Sequence, residues 1–129
     1  MCTEYTKTIK FMAYSSSLMY ITITSLELKG PFHFFKLAGM ALLITRQMKT
    51  TDGFVQYKST GFWTSHYTMS IWKTEKDLKS FARSGAHLDG MKRYREVASE
   101  IRTLTIAGEK FPEWSMAKDM LVKNGKVIG

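Results

Sequence analysis

Few side chains in this sequence could move a proton or bind a metal. The 129 residues include three histidines, His33, His66 and His87, and one cysteine, Cys2. The histidine spacing matches no metal-ligand pattern, and a single terminal thiol supports neither a disulfide framework nor a thiolate zinc site. No carboxylate is placed by sequence to orient His66 or His87, so a hydrolytic triad has no support. A Gly-rich flavin or nicotinamide fingerprint is also missing. That leaves general acid–base work. His87 follows Ser84-Gly85-Ala86 at a helix start, where an imidazole can act as a base, donate to a substrate carbonyl or ligate iron. His66 sits among hydroxyls near Thr68 and Ser70 and is the second candidate. Both also have plainer readings: His87 bonding a backbone carbonyl at a helix end, and His66 as a solvated residue beside a turn.

These residues must be positioned by strands and helices that the hydrophobic pattern marks out. Residues 18–28 are rich in β-branched and aromatic side chains and read as a strand. Gly30-Pro31 ends it and opens a helix over 32–49, with Phe34, Leu37, Ala41, Ile44 and Met48 at helical spacing. Strands at 54–60 and 65–73 flank a turn and pair as a hairpin. Thr74-Glu75-Lys76-Asp77 caps a helix that Ser84-Gly85 interrupts, with a second helical piece over 86–100. A strand over 101–110 and a helix over 112–124 complete the chain. The nine methionines fall largely on helix stripes, where they serve as adaptable core.

The order β-α-β-β-α-β plus a terminal helix predicts an α+β, ferredoxin-like antiparallel sheet with helices on one face. Alternation divides each strand into two faces. Met19, Ile21, Ile23, Tyr67, Met69, Ile71, Leu104 and Ile106 read as the lining for the helices. Tyr20, Thr22, Thr24, His66, Thr68, Ser70, Trp72, Thr103 and Thr105 then occupy the uncovered face, a mixture of hydroxyls, aromatics and one imidazole. Such a face is either solvated or closed by a second copy into a cavity with an apolar wall and a few placed hydroxyls; the aromatic area favours the cavity. Tyr20 and Tyr57 are its candidate hydroxyls, and Trp72 is a packing anchor whose N–H needs a partner if buried.

Residues Thr68 to Met91, a strand ending in Ser70-x-Trp72, a capped helix, Phe81-Ala82 and then Ala86-His87, resemble the corresponding block of spheroidene monooxygenase-like proteins. These belong to the dimeric α/β-barrel superfamily that includes antibiotic-biosynthesis monooxygenases. The resemblance covers about 25 residues closely and 17–110 by element order. It implies a homodimer through the sheet faces and a pocket between sheet and helices for a small apolar, often polycyclic molecule, with no cofactor or with haem. Monooxygenase-like oxidation follows as the expected activity, with His87 and His66 as proton-transfer residues and Tyr20, Tyr57, Trp72, Phe81 and Met91 lining the pocket. In the haem-degrading branch a helix Trp falls where Phe81 stands, and an axial His where Met91 stands. Non-catalytic ligand binding in the same fold is the alternative.

Composition sets the outer bounds. Hydrophobic residues at 44% and charged residues at 23% are ordinary for one globular domain. No run approaches the ~20 apolar residues of a spanning helix, and Ser15-Ser16-Ser17 interrupts any signal-peptide core, so a cytoplasmic location is expected. Residues 1–16 read as a leader or edge segment and 17–129 as the domain. The net charge of +8 raises nucleic acid as a partner. However, the Lys/Arg-Gly-aromatic pattern of an RNA-binding sheet is missing, and Lys73, Lys76, Lys79, Arg83, Lys92, Arg93 and Arg95 map mainly to helix surfaces.

Overall fold

The computed structural model describes residues 18–128; the expected leader, 1–16, lies outside the described residues. Strand β1 (Met19–Leu28) is central, pairing antiparallel with β3 (Ser65–Trp72) on one side and β4 (Ala98–Gly108) on the other. The outer strands are β2 (Phe54–Phe62) and β5 (Lys126–Ile128), giving the order β2-β3-β1-β4-β5. Helix α1 (Phe34–Lys49) follows a 3-10 turn over Pro31–His33. Helix α2 (Glu75–Ala82) is capped by Thr74, whose Oγ1 accepts the Asp77 N–H at 3.0 Å. Helices α3 (Gly85–Arg93) and α4 (Trp114–Asn124) complete the set. The α+β, ferredoxin-like architecture is the one the element order predicts.

The elements differ from the sequence reading in several places, among them β2, which runs on to Phe62 instead of ending at 60. The helical piece expected to reach residue 100 ends at Arg93, followed by a 3-10 turn over Tyr94–Glu96. Strand β4 starts at Ala98 because Ala98 pairs with Leu28 across a β-bulge, and Val97 and Ala98 are buried against Leu28 and Ile101. Ladder pairing and burial override the local helical preference of this segment. Strand β5, which has only three residues, was not anticipated.

The largest correction concerns the two sheet faces. The apolar set does not meet α1–α3. Ile21, Ile23, Met69 and Ile71 are buried beneath Ala117 and Leu121 of α4, with Phe111, Trp114 and Met120 around them. The hydroxyl-bearing face is the one that α1–α3 cover, and it is not left open. On it, Leu26, Leu28, Val97 and Ile101 pack against Leu37 and Met40, while Trp72 and Phe81 pack with Ile44, Met48 and Leu78. Two apolar clusters therefore pin α1 across this face. The physical reason is supply: each sheet face requires cover, and α4 is the segment that reaches the second one. Lys58 over the Trp114 ring at 5.2 Å and Lys118 over Tyr67 at 4.7 Å close the margins of α4 with cation–π contacts.

Leu121 is almost fully buried in this second core. Leu121→Ala should lower unfolding stability by about 2–5 kcal/mol in urea denaturation. The exposed Val122→Ala on the same helix should change it by less than about 0.5 kcal/mol.

Candidate functional site

The residues singled out by sequence fall into two groups. A ring stack runs from the sheet to the helix layer: Phe54 on Trp72 at 5.6 Å, Trp72 on Phe81 at 4.8 Å, and Phe81 on His87 at 4.8 Å. Trp72 is fully buried, and its Nε1–H donates to Ser70 Oγ at 2.9 Å, which supplies the partner that burial demands. Tyr57 is half-buried against the same cluster. Tyr20 is half-buried and pairs with Trp72 in register, on the same face. Met91 stands one turn beyond His87 on α3, on the same side of that helix.

His66 does not join this group. It lies six residues before Trp72 on β3, about 20 Å along the strand. There its ring stacks on Phe34 at 5.5 Å, and Nε2 lies 3.2 Å from the Trp63 carbonyl. Gly61 lies beneath it, where a Cβ would meet the imidazole ring.

A residue that sequence reading passed over organises the site. Gln47, on α1, reaches the break between α2 and α3. Its Nε2 donates to the Phe81 carbonyl at 3.2 Å and the Ser84 carbonyl at 2.8 Å, while its Oε1 accepts the His87 N–H at 2.8 Å. One amide thereby satisfies the end of one helix and the start of the next. Gly85 makes the turn with φ +57°, and a Cβ there would press on the Gln47 amide carbon at 3.0 Å. A lone glutamine inside a helix carries no motif, so nothing in the sequence marked it.

This joint fixes the chemistry of His87. The imidazole Nδ1 lies 3.0 Å from the Ala82 carbonyl, which can only accept, so Nδ1 carries the proton. The lone pair then belongs to Nε2. No buried side-chain nitrogen or oxygen among the described residues lacks a partner, so Nε2, which makes no hydrogen bond, reaches solvent. Burial pushes the His87 pKa below the usual 6.5, against the opposing effect of the Ala82 carbonyl. The result is a neutral, oriented imidazole with an open basic nitrogen.

The sheet face beneath α1–α3 carries a band of hydroxyls. Thr22 and Thr105 Oγ1 atoms lie 3.2 Å apart, and those of Thr24 and Thr103 lie 3.4 Å apart, between the two apolar clusters on the same face. Helix α3 is anchored at one end by His87 on Phe81 and at the other by Tyr94 in the Leu28–Ile101 cluster. Between these anchors α3 packs on α1, where a Cβ on Gly90 would press on Ile44 at 3.1 Å; on the sheet Thr22 is half-buried and Thr105 exposed. Two depressions lie away from His87. One of about 170 Å³ is bounded by Ser25, Tyr67, Arg102 and α4, and a shallow one lies on α2 between Lys76, Lys79 and Arg83.

The residues fit haem poorly. Phe81, at the position of the helix Trp of haem-degrading proteins, is buried between Trp72 and His87. Met91 offers a neutral thioether where they have an imidazole. Among the described residues, no group of three or more His, Cys, Asp or Glu side chains could hold a metal ion.

No family model matches the sequence, and no curated relative aligns with it. Solved structures do share the fold. A protein from Nitrosomonas europaea, provisionally named an antibiotic biosynthesis monooxygenase, matches with TM-score 0.63 at 15% identity, over 70% of this chain and 89% of its own. SnoaB, a cofactor-independent oxygenase from Streptomyces nogalater, matches with TM-score 0.56 at 9% identity, over 75% and 98%. A conserved protein from Methanosarcina mazei matches with TM-score 0.63 at 15% identity, over 77% and 99%. The chain thus shares its fold with proteins provisionally named antibiotic biosynthesis monooxygenases and with a cofactor-independent oxygenase.

Two measurements test the joint. The folded-state pKa of His87 lies below the 6.5 of an unfolded chain, so the unfolded state takes up the proton first as pH falls. Stability should be complete above pH ~6.5 and decline below it until the folded pKa is reached. His87→Phe should abolish that part of the slope. Gln47→Ala, which leaves the His87 N–H without its partner and removes one of the donors to the Phe81 and Ser84 carbonyls, should cost about 1–3 kcal/mol. It should also accelerate hydrogen exchange at the His87 amide.

Proposed function

We propose that this protein is a monooxygenase-like enzyme that oxidises a small, apolar, polycyclic aromatic molecule between the hydroxyl band of the sheet and helix α3, with His87 as general base. The observation that carries the reading is the locked tautomer of His87: Nδ1 tied to the Ala82 carbonyl, Nε2 open, and the ring held neutral by burial. The fold likeness to a cofactor-independent oxygenase points the same way.

The chemistry needs only a base and a largely apolar site. A ring methylene made acidic by flanking aryl and carbonyl groups loses a proton to His87 Nε2. The carbanion passes an electron to O2, and recombination forms the carbon–oxygen bond of a peroxide. Loss of the second ring proton cleaves the O–O bond, leaving a carbonyl and water. Two hydrogens leave carbon, one oxygen atom enters it, and the other departs as water. Met91 and Tyr20 flank the aromatic substrate, and the threonine hydroxyls orient its oxygens. Trp72, Phe81 and Tyr57 support the site from the packed core behind it. His66 stays outside this chemistry, because β3 holds it at the far end of the sheet.

Pairing of two copies through the sheet, which the resemblance implies, meets an obstacle in α4. This helix lies on the apolar sheet face within the single chain, so direct sheet-to-sheet contact there requires α4 to move aside or exchange between copies.

Oxygen uptake with a panel of polycyclic aromatic ketones and phenols tests the assignment. His87→Ala should lower kcat/KM by about 10²–10⁴-fold with little change in ligand affinity. In the wild type, activity should persist at pH 6.5 and fall only on further acidification, as Nε2 becomes protonated. Ligand binding without oxygen uptake would identify a non-catalytic binding protein, and undiminished turnover in the His87→Ala enzyme would remove His87 from the mechanism.

A further inference from the structure

The shoulder between α4 and the sheet holds the depression of about 170 Å³, which the oxygenase reading leaves unused. Its floor is a row of side chains that the register sets next to one another on the α4 face: Tyr67 on β3, Ser25 on β1 and Arg102 on β4. The next row outward brings Glu27 opposite Glu100 on the same face. Leu121 and Val122 of α4 supply an aliphatic wall, the first buried and the second 72% exposed. Lys118 closes the corner, with its Nζ 4.7 Å from the centre of the Tyr67 ring.

The charges around this depression match one another only in part. Arg102 gives its Nε–H to Glu100 Oε1 at 2.7 Å, which neutralises that pair. Two groups of opposite sign are left over. The Glu27 carboxylate accepts from the Thr64 and Ser65 hydroxyls at 2.5 and 2.6 Å, and these donors hold its pKa below the usual carboxylate range. It is charged, yet no Lys or Arg among the described residues pairs with it. Glu100 stands directly across the ladder, a like-charge placement that costs stability and that a cation beside Glu27 would relieve. Lys118 is the converse, an ammonium over a ring with no carboxylate partner among the described residues. The Ser25 and Tyr67 hydroxyls, one beside Glu27 and the other beneath Lys118, bond to no described residue and are open to solvent.

We propose that this depression binds a small aliphatic α-amino acid, with Glu27 on its ammonium, Lys118 and Arg102 on its carboxylate and Val122 against its side chain. A zwitterion meets both unmatched charges at once, whereas a simple anion would face two carboxylates and a simple cation would face Lys118 and Arg102. Glu27 keeps acceptor capacity beyond the two hydroxyls, and the terminal nitrogens of Arg102 make no hydrogen bond among the described residues. Tyr67 lies diagonally across the ladder from Glu27, roughly 7–8 Å away, a gap that one amino-acid backbone and its contacts bridge. Pockets for drug-sized molecules run to roughly 300–1,000 Å³, so this one suits a smaller ligand. It opens on the sheet face opposite His87, and the proposal is independent of the oxygenase reading.

The test is isothermal titration calorimetry of the full-length protein with L-leucine, with isocaproate, which lacks the ammonium, and with isopentylamine, which lacks the carboxylate. L-leucine should bind at least about tenfold more tightly than either, because each half-ligand forfeits one charge-assisted contact. Glu27→Gln and Lys118→Met should each weaken L-leucine binding by at least about tenfold. Lys118 is exposed, so its loss leaves the packing untouched, and near-ultraviolet circular dichroism verifies the fold of both variants. Absence of L-leucine binding up to about 10 mM, or unchanged affinity in either folded variant, would overturn the proposal. Binding of isocaproate or of isopentylamine as tight as that of L-leucine would also overturn it, by reducing the depression to a plain anion or cation site.

Discussion

Everything in this fold depends on strand β1 being paired on both edges and covered on both faces. Ile21 and Ile23 go to one core, and Leu26 and Leu28 to another, within ten consecutive residues. A central strand of this kind cannot be stabilised from one side only: each face exposes apolar area until a helix covers it. The chain meets that demand unequally. Three helices share one face and a single helix, α4, takes the other. The two layers differ in character as a result. The face beneath α4 is aliphatic around Ile21 and Ile23 and polar toward Ser25, Glu27 and Arg102, whereas the face beneath α1–α3 is apolar at two ends and hydroxyl-rich between them.

That unevenness is what leaves room for chemistry. Where the Trp72 and Leu28 clusters anchor the helices, side chains are tightly buried. Between them, threonines bond to one another across β1 and β4. His87 is placed at the boundary by a helix break, and the break is held by the Gln47 amide reaching from a third helix. Imidazole orientation here is thus a tertiary property. Moving α1 would move His87, although the two are 40 residues apart in sequence.

Much of this was legible in the sequence. The β-branched run of β1, the Thr74 cap, the Ser84-Gly85 break and the hairpin at 61–64 each have a local physical cause, and each stands in the structure. The buried N–H of Trp72 called for a partner, and Ser70 supplies it. What the sequence could not carry was assignment between elements. Alternation separates Ile21 from Thr22 but does not say which helix each will meet. That depends on whether a later segment, α4, can reach the second face. The stretch from Lys92 to Glu100 looks helical because its preference is local, and it ends early because Ala98 has a strand partner in Leu28. Gln47 was invisible for a related reason: its partners are backbone groups of another element, and backbone groups leave no mark in a sequence.

The position of α4 in the chain also bears on how the protein is made. Synthesis proceeds from the N-terminus, so β1, β3 and β4 and the three helices of the first face all emerge before residue 114. During that interval the sheet can form with Ile21, Ile23, Met69 and Ile71 facing water on one side. The nascent chain thus passes through a stage in which it is half covered and adhesive, and the arrival of α4 over Ile21, Ile23, Met69 and Ile71 ends that stage.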